Sequence, residues 1–160
     1  MYKYCRKSCK KGKIIGENDI EKGKEKMKRI VIYWSSTGNT ESMAERIASD
    51  LGCDAINVSN ISVDDVSTYD EVILGCPAMG AEELEEDEFK PFYDEFIANY
   101  SDKKIGLFGS YGWGDGEWMR NWEEDVKSKG GAFVASIIAN GDATEMDESL
   151  YQDFLNKLKS

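Results

Sequence analysis

Arg29-Ile-Val-Ile-Tyr-Trp-Ser-Ser-Thr-Gly-Asn-Thr40 begins as a short apolar run and breaks at once into small hydroxyl, amide and glycine residues. Ile30 to Trp34 reads as a buried strand. Met43, Ala44, Ile47, Ala48 and Leu51 follow at helical spacing, which predicts a helix from about Gly38 to Leu51, closed by Gly52. A strand, a tight polar turn and a helix N-terminus together cradle a phosphate, because backbone N–H groups point outward and the helix dipole favours an anion. The turn holds no Lys or Arg, so the GxxxxGK(S/T) loop of a nucleoside triphosphate site is absent. GxGxxG is absent as well, which argues against a dinucleotide pyrophosphate. What remains suits one terminal phosphate monoester held by neutral donors at Ser35, Ser36, Thr37, Gly38, Asn39 and Thr40.

Working outward, the same alternation recurs. Ala55 to Val58, Glu71 to Cys76, Lys104 to Gly109 and Ala132 to Ile138 read as further strands, with a turn of helix at Ile61 to Val66. Phe89, Phe92, Tyr93, Phe96, Ile97 and Tyr100 mark one helix. Trp118, Met119, Trp122 and Val126 mark another, and Leu150, Tyr151, Phe154, Leu155 and Leu158 the last. Short apolar strands alternating with amphipathic helices predict an α/β fold: a doubly wound, five-stranded parallel sheet in the order 2-1-3-4-5, with helices on both faces. The crevice of such a sheet lies outside the carboxyl ends of strands one and three, where the loops after strands one, three and four converge.

The 160 residues make one domain, residues 29–160, preceded by a basic extension, residues 1–28, expected to be flexible. Residues 1–29 carry a net +7 and residues 30–160 a net −18. An acidic domain repels nucleic acid and attracts basic-faced protein partners. Neither a secretory signal nor a membrane span is visible, so a cytoplasmic monomer with no membrane or nucleic-acid partner is expected. With no histidine in the chain, Ser–His and Cys–His hydrolysis are excluded and most metal sites with them; the Cys5/Cys9 pair lacks a second pair to complete one.

Two further loops carry chemistry. Pro77-Ala-Met-Gly80 follows the third strand, with Glu82 just beyond. Ser110-Tyr-Gly-Trp-Gly-Asp-Gly116 follows the fourth, placing Trp113 between Gly112 and Gly114, where it has no core to fill. An aromatic plate, a polarizable thioether at Met79 and a phosphate cradle together describe a pocket for flavin mononucleotide. Ser-Ser-Thr-Gly-Asn-Thr40, Gly-Cys-Pro-Ala-Met-Gly80 and Phe-Gly-Ser-Tyr-Gly-Trp-Gly-Asp-Gly116 resemble the three FMN loops of short-chain flavodoxins of the clostridial type, over about Lys28 to Ser160.

The resemblance implies a flavodoxin-like fold and a low-potential one-electron carrier in anaerobic metabolism, shuttling electrons between redox enzymes rather than converting a substrate. It implies that Ser35 to Thr40 hold the phosphate and that Met79 and Trp113 flank the ring. The Gly80 carbonyl would face flavin N5, the Glu82 N–H would lie near N5/O4, and the backbone of Ser110, Tyr111 and Gly112 near the ring edge. Pro77, Ala78 and Gly116 complete the cofactor-binding set, and Asn140-Gly141-Asp142 approaches the ribityl chain or ring edge. A glycine lowers the cost of turning a peptide carbonyl toward a protonated N5, and the acidic domain, with Glu82 to Glu88 as a solvated or docking face, disfavours extra negative charge on the ring. The alternative is a small FMN-dependent quinone or nicotinamide reductase, which needs a substrate cavity over the flavin.

Overall fold

Alternation along the strands decides which layer each helix joins. In β1 (Arg29–Tyr33), Ile30 and Ile32 pack on one side of the sheet while Val31 and Tyr33 pack on the other. β3 (Glu71–Gly75) repeats this with Val72 and Leu74 against Ile73. The first side is covered by α2 (Phe89–Asn99) and α3 (Glu117–Ser128), the second by α1 (Asn39–Leu51) and α4 (Glu148–Lys159). With β2 (Asp54–Asn57), β4 (Lys104–Ser110) and β5 (Ala132–Ala139), the strands form one parallel sheet in the order β2-β1-β3-β4-β5. This is the order expected from the sequence. Every residue of β3 is buried, as a parallel strand covered on both faces requires. The computed structural model describes residues 27–160; the expectations for the basic extension and for Cys5 and Cys9 lie outside the described residues.

Element boundaries shift by a residue or two. Trp34 and Cys76 fall just beyond their strands, and Gly38 caps α1 from a left-handed conformation. The expected turn at Ile61 to Val66 is two 3₁₀ turns, Val58–Asn60 and Val63–Thr68, the second started by reciprocal hydrogen bonds between Ser62 and Asp65. All five residues that mark the last helix lie in α4; Leu150, in its first turn, is 58% exposed and borders an outer groove, and the buried stripe is Tyr151, Phe154, Leu155 and Leu158. At the other end of the chain, Lys28 already belongs to the domain, its carbonyl accepting the N–H groups of Asp70 and Glu71.

Candidate functional site

The loop after β1 closes on itself before the helix starts. Ser35 Oγ accepts the Gly38 N–H at 3.1 Å, and the Gly38 carbonyl accepts the Ser42 N–H at 2.9 Å as the first bond of the α1 ladder. The N–H groups of Ser36, Thr37, Asn39 and Thr40 meet no acceptor among the described residues. These are the orphan donors of a helix N-terminus and the turn before it. Ser36 and Thr37 are exposed, whereas Thr40 is buried. Its hydroxyl pairs with that of Ser110, 2.7 Å away and also buried. Thr40 therefore offers its backbone outward while its side chain fastens this loop to the end of β4.

The loop after β3 lies against β4. Cys76 N–H donates to the Phe108 carbonyl and Ala78 N–H to the Ser110 carbonyl, so the pairing continues past the buried Pro77. A side chain at Gly109 would place its Cβ 2.2 Å from the Cys76 carbonyl oxygen, so this close approach requires glycine. Burial pushes the Cys76 thiol up to about 12, leaving it an unreactive packing group. Met79 and Glu83 exchange two backbone hydrogen bonds of 2.8 Å and close a three-residue turn over Gly80, Ala81 and Glu82. Gly80 has φ +50° with open space where a Cβ would stand, so its constraint is conformational rather than steric.

Glu82, at φ +58°, is the one non-glycine in the left-handed region among the described residues. Its carboxylate accepts the Glu117 N–H at 3.0 Å, at the first residue of α3, and presses on Gly114, where a Cβ would come within 2.7 Å. The side chain thus clasps the Met79 loop to the Trp113 loop. The sequence reading assigned only its backbone. No local signal marks the contact, since the partners are 35 residues apart.

In the loop after β4, Tyr111 N–H donates to the Ala139 carbonyl and its ring leans on Trp118. Gly112 and Trp113 are exposed, Trp113 by 65%. Gly116 is buried and caps α3, its carbonyl receiving the Met119 and Arg120 N–H groups, so it shapes the loop from beneath. Arg120, overlooked in the sequence as a cation near this loop, is bound to Asp115 at 3.0 Å. In the loop after β5, Asp142 caps a short 3₁₀ turn and Ala143 N–H donates to Ser42 Oγ at 3.0 Å. This brings the Asn140–Asp142 loop to the start of α1.

The acidic run is not uniformly a solvated or docking face. Glu85 is buried, and its carboxylate accepts the N–H groups of Asp87, Glu88 and Phe89 at 2.8–2.9 Å. Burial opposes its ionisation, but the three donors outweigh burial and hold the carboxyl below its ordinary value. It starts α2, and Glu88 accepts from Trp34 Nε1 at 2.9 Å, tying α2 to the end of β1.

The three loops thus meet at one mouth built of neutral donors, a half-buried thioether and an exposed indole. The residues present fit FMN: a cradle of unpaired N–H groups for a phosphate, and a flat exposed ring for a flat cofactor.

Comparison with known proteins gives a consistent answer. The family model described as Flavodoxin matches residues 31–154. A flavodoxin of Clostridium beijerinckii is 46% identical over 124 residues, 74% of this chain and 90% of that protein. One from Megasphaera elsdenii is 43% identical over 115 residues, 69% of this chain and 84% of that protein. The solution structure of the two-electron reduced M. elsdenii flavodoxin superposes with a TM-score of 0.75 at 36% identity, covering 82% of this chain and 99% of that chain.

Proposed function

This chain belongs to the flavodoxin family and is an FMN-binding electron carrier; from that premise we propose which residues hold the cofactor and how the carrier works. The N–H groups of Ser36, Thr37, Asn39 and Thr40, with the side chains of Ser35, Ser36, Thr37 and Asn39, receive the phosphate. Trp113 and Met79 cover the ring, and Gly80, Glu82 and the Ser110 to Gly112 backbone face its edge, with Pro77, Ala78 and Gly116 shaping the loops from below. FMN, when bound, supplies reversible one-electron chemistry.

The protein's part is positional and electrostatic. The Thr40–Ser110 bond holds the phosphate loop against the ring loops. The Glu82 clasp sets the Met79 loop against the Trp113 loop. Gly80, with open space where a Cβ would stand, lets its peptide reorient at low cost when an acceptor is needed beside the ring. The surrounding net negative charge disfavours further charge on the reduced cofactor, which makes it a low-potential donor. The carrier serves basic-faced redox proteins as a cytoplasmic monomer and does not turn over a substrate of its own; the reductase alternative is not favoured by the relatives. Among the described residues, no helix is long and apolar enough to cross a membrane.

The observation that carries the assignment is the convergence of three loops, joined by Thr40–Ser110 and by Glu82 with Glu117, around unpaired N–H donors. Titrating the cofactor-free protein with FMN and with riboflavin tests it. Quenching of flavin fluorescence by FMN at tenfold or more lower concentration than by riboflavin is expected; equal affinities would remove the phosphate cradle. Stepwise anaerobic photoreduction should resolve two one-electron steps, and a single two-electron bleach would support the reductase instead.

A further inference from the structure

Beside the ring loops, α2 and α3 part to form a groove of about 530 Å³. Its inner wall is apolar and aromatic, formed by Pro91, Tyr93, Trp118 and Trp122. Trp122 is buried, and its indole Nε1 meets no acceptor among the described residues. Along the outer wall, the far end is neutralised from within: Asp94 pairs with Lys90 at 3.0 Å, and Asp125 pairs with Lys129 at 3.0 Å. Asp125 also accepts the Tyr93 hydroxyl at 2.8 Å. The end next to the ring loops is different. Glu82, Glu83 and Glu86 line it, and no Lys or Arg among the described residues pairs with them.

We propose that this groove is the docking slot for an arginine- or lysine-bearing loop of the redox partner, whose cationic head meets Glu83 and Glu86 while its methylene stem lies along Pro91, Trp118 and Trp122. An apolar wall with carboxylates at one end matches a side chain with an apolar stem and a charged tip. Aromatic faces add attraction for a cation that loses water on entry. The acidic groove on the β2 edge, lined by Asp54, Asp64 and Asp65, has comparable charge but lies on the far edge of the sheet from Trp113. Of these two acidic grooves, the α2–α3 groove is the one that shares a residue, Glu82, with the ring loops, so a partner seated there lies against the cofactor edge. The proposal rests on the carrier reading above.

The test uses the full-length, FMN-loaded protein and a capped tetra-arginine peptide as probe, followed by amide chemical shifts and tryptophan fluorescence. Shifts are expected to centre on residues 82–94 and 118–125. Glu83→Lys/Glu86→Lys should weaken the peptide about tenfold at low salt, while Asp54→Lys/Asp64→Lys, an equal change of net charge, should weaken it less than threefold. FMN affinity is measured in parallel for every variant and is expected to stay unchanged. Failure of wild-type protein to bind FMN would strike the carrier reading itself. Normal FMN binding with shifts on the β2 edge, or with equal losses in both double variants, would overturn the groove alone.

Discussion

At the start of the strands, Arg29 donates to the buried Glu71 carboxylate and to the Leu158 carbonyl, and the Lys28 carbonyl takes the N–H groups of both Asp70 and Glu71. At their far end, four N–H groups of the phosphate loop and the first turn of α1 meet no acceptor among the described residues, and Trp113 stands in solvent. One end of the sheet spends its polar groups on the chain itself; the other holds them for something else. Stability and binding should therefore separate by position, and variants at the two ends test whether they do.

The largest effect belongs to the closed end. Glu71 is fully buried, and one of its oxygens already lacks a partner. Arg29→Ala would strand the whole carboxylate, and such a loss costs about 3–5 kcal/mol. Urea unfolding should show it, with FMN affinity of the folded protein unchanged. Burial raises the Glu71 carboxyl above its ordinary 4.5, against the pull of Arg29 and Lys104. A group raised on folding contributes stability that is fully present below its unfolded value and is lost as pH rises through its folded value. Without Arg29 the folded value climbs further, so the variant's deficit should shrink as pH falls toward 4.5 and widen up to neutrality. A deficit independent of pH would mean that Glu71 is not the group left stranded.

Trp113→Ala should behave in the opposite manner. The ring packs on nothing in the core, so unfolding in the absence of FMN should change by no more than about 0.5 kcal/mol. Stacking against a flat ring is worth roughly 1–3 kcal/mol, so FMN should bind about 5- to 150-fold more weakly. Between these extremes lies Thr40→Val, at the one point where the two behaviours meet. It leaves the buried Ser110 hydroxyl without its partner, costing about 1–3 kcal/mol of stability. It also loosens the phosphate loop, so FMN affinity should fall in the same variant. A change in stability alone would show that the Thr40–Ser110 bond is only a core contact.

The fold was legible because a parallel sheet writes itself into continuous apolar runs; five alternating units suited the doubly wound order, and that order brought the three unusual loops to one mouth. The site was legible where its residues are consecutive: Ser35 to Thr40 and the glycines around Trp113 announce their use locally. What stayed hidden is pairwise and distant. Thr40 and Ser110 are 70 residues apart, and nothing near either one marks a shared hydrogen bond. Glu85 looked like its neighbours in an acidic run, yet it turns inward, because the start of α2 needs three N–H acceptors and no Ser, Thr or Asn stands at its cap, where the Glu88 side chain accepts none of the helix N–H groups. Leu150 shows the opposite: apolar spacing placed it on the last helix but could not tell that it stands exposed at the helix's first turn.

The smallest expected effect is also the most discriminating. Glu82 contributes a carboxylate to the start of α3 from another loop, a cap that should be worth about 0.5–2 kcal/mol. It does so from φ +58°, a conformation that costs a side chain about 1–2 kcal/mol and glycine nothing. In Glu82→Gly the two changes oppose each other, so unfolding without FMN should move by less than about 1 kcal/mol. The clasp between the ring loops would nevertheless be gone. If the strain at Glu82 exists to hold the Met79 loop against the Trp113 loop, FMN should bind several-fold more weakly in a protein of unchanged stability, and Glu82→Ala, which keeps the strain and loses the cap, should be the less stable of the two. Equal FMN affinity in wild type and Glu82→Gly would show that the open end of the sheet is held without the Glu82 clasp, by the Thr40–Ser110 bond and the backbone bonds of the loops.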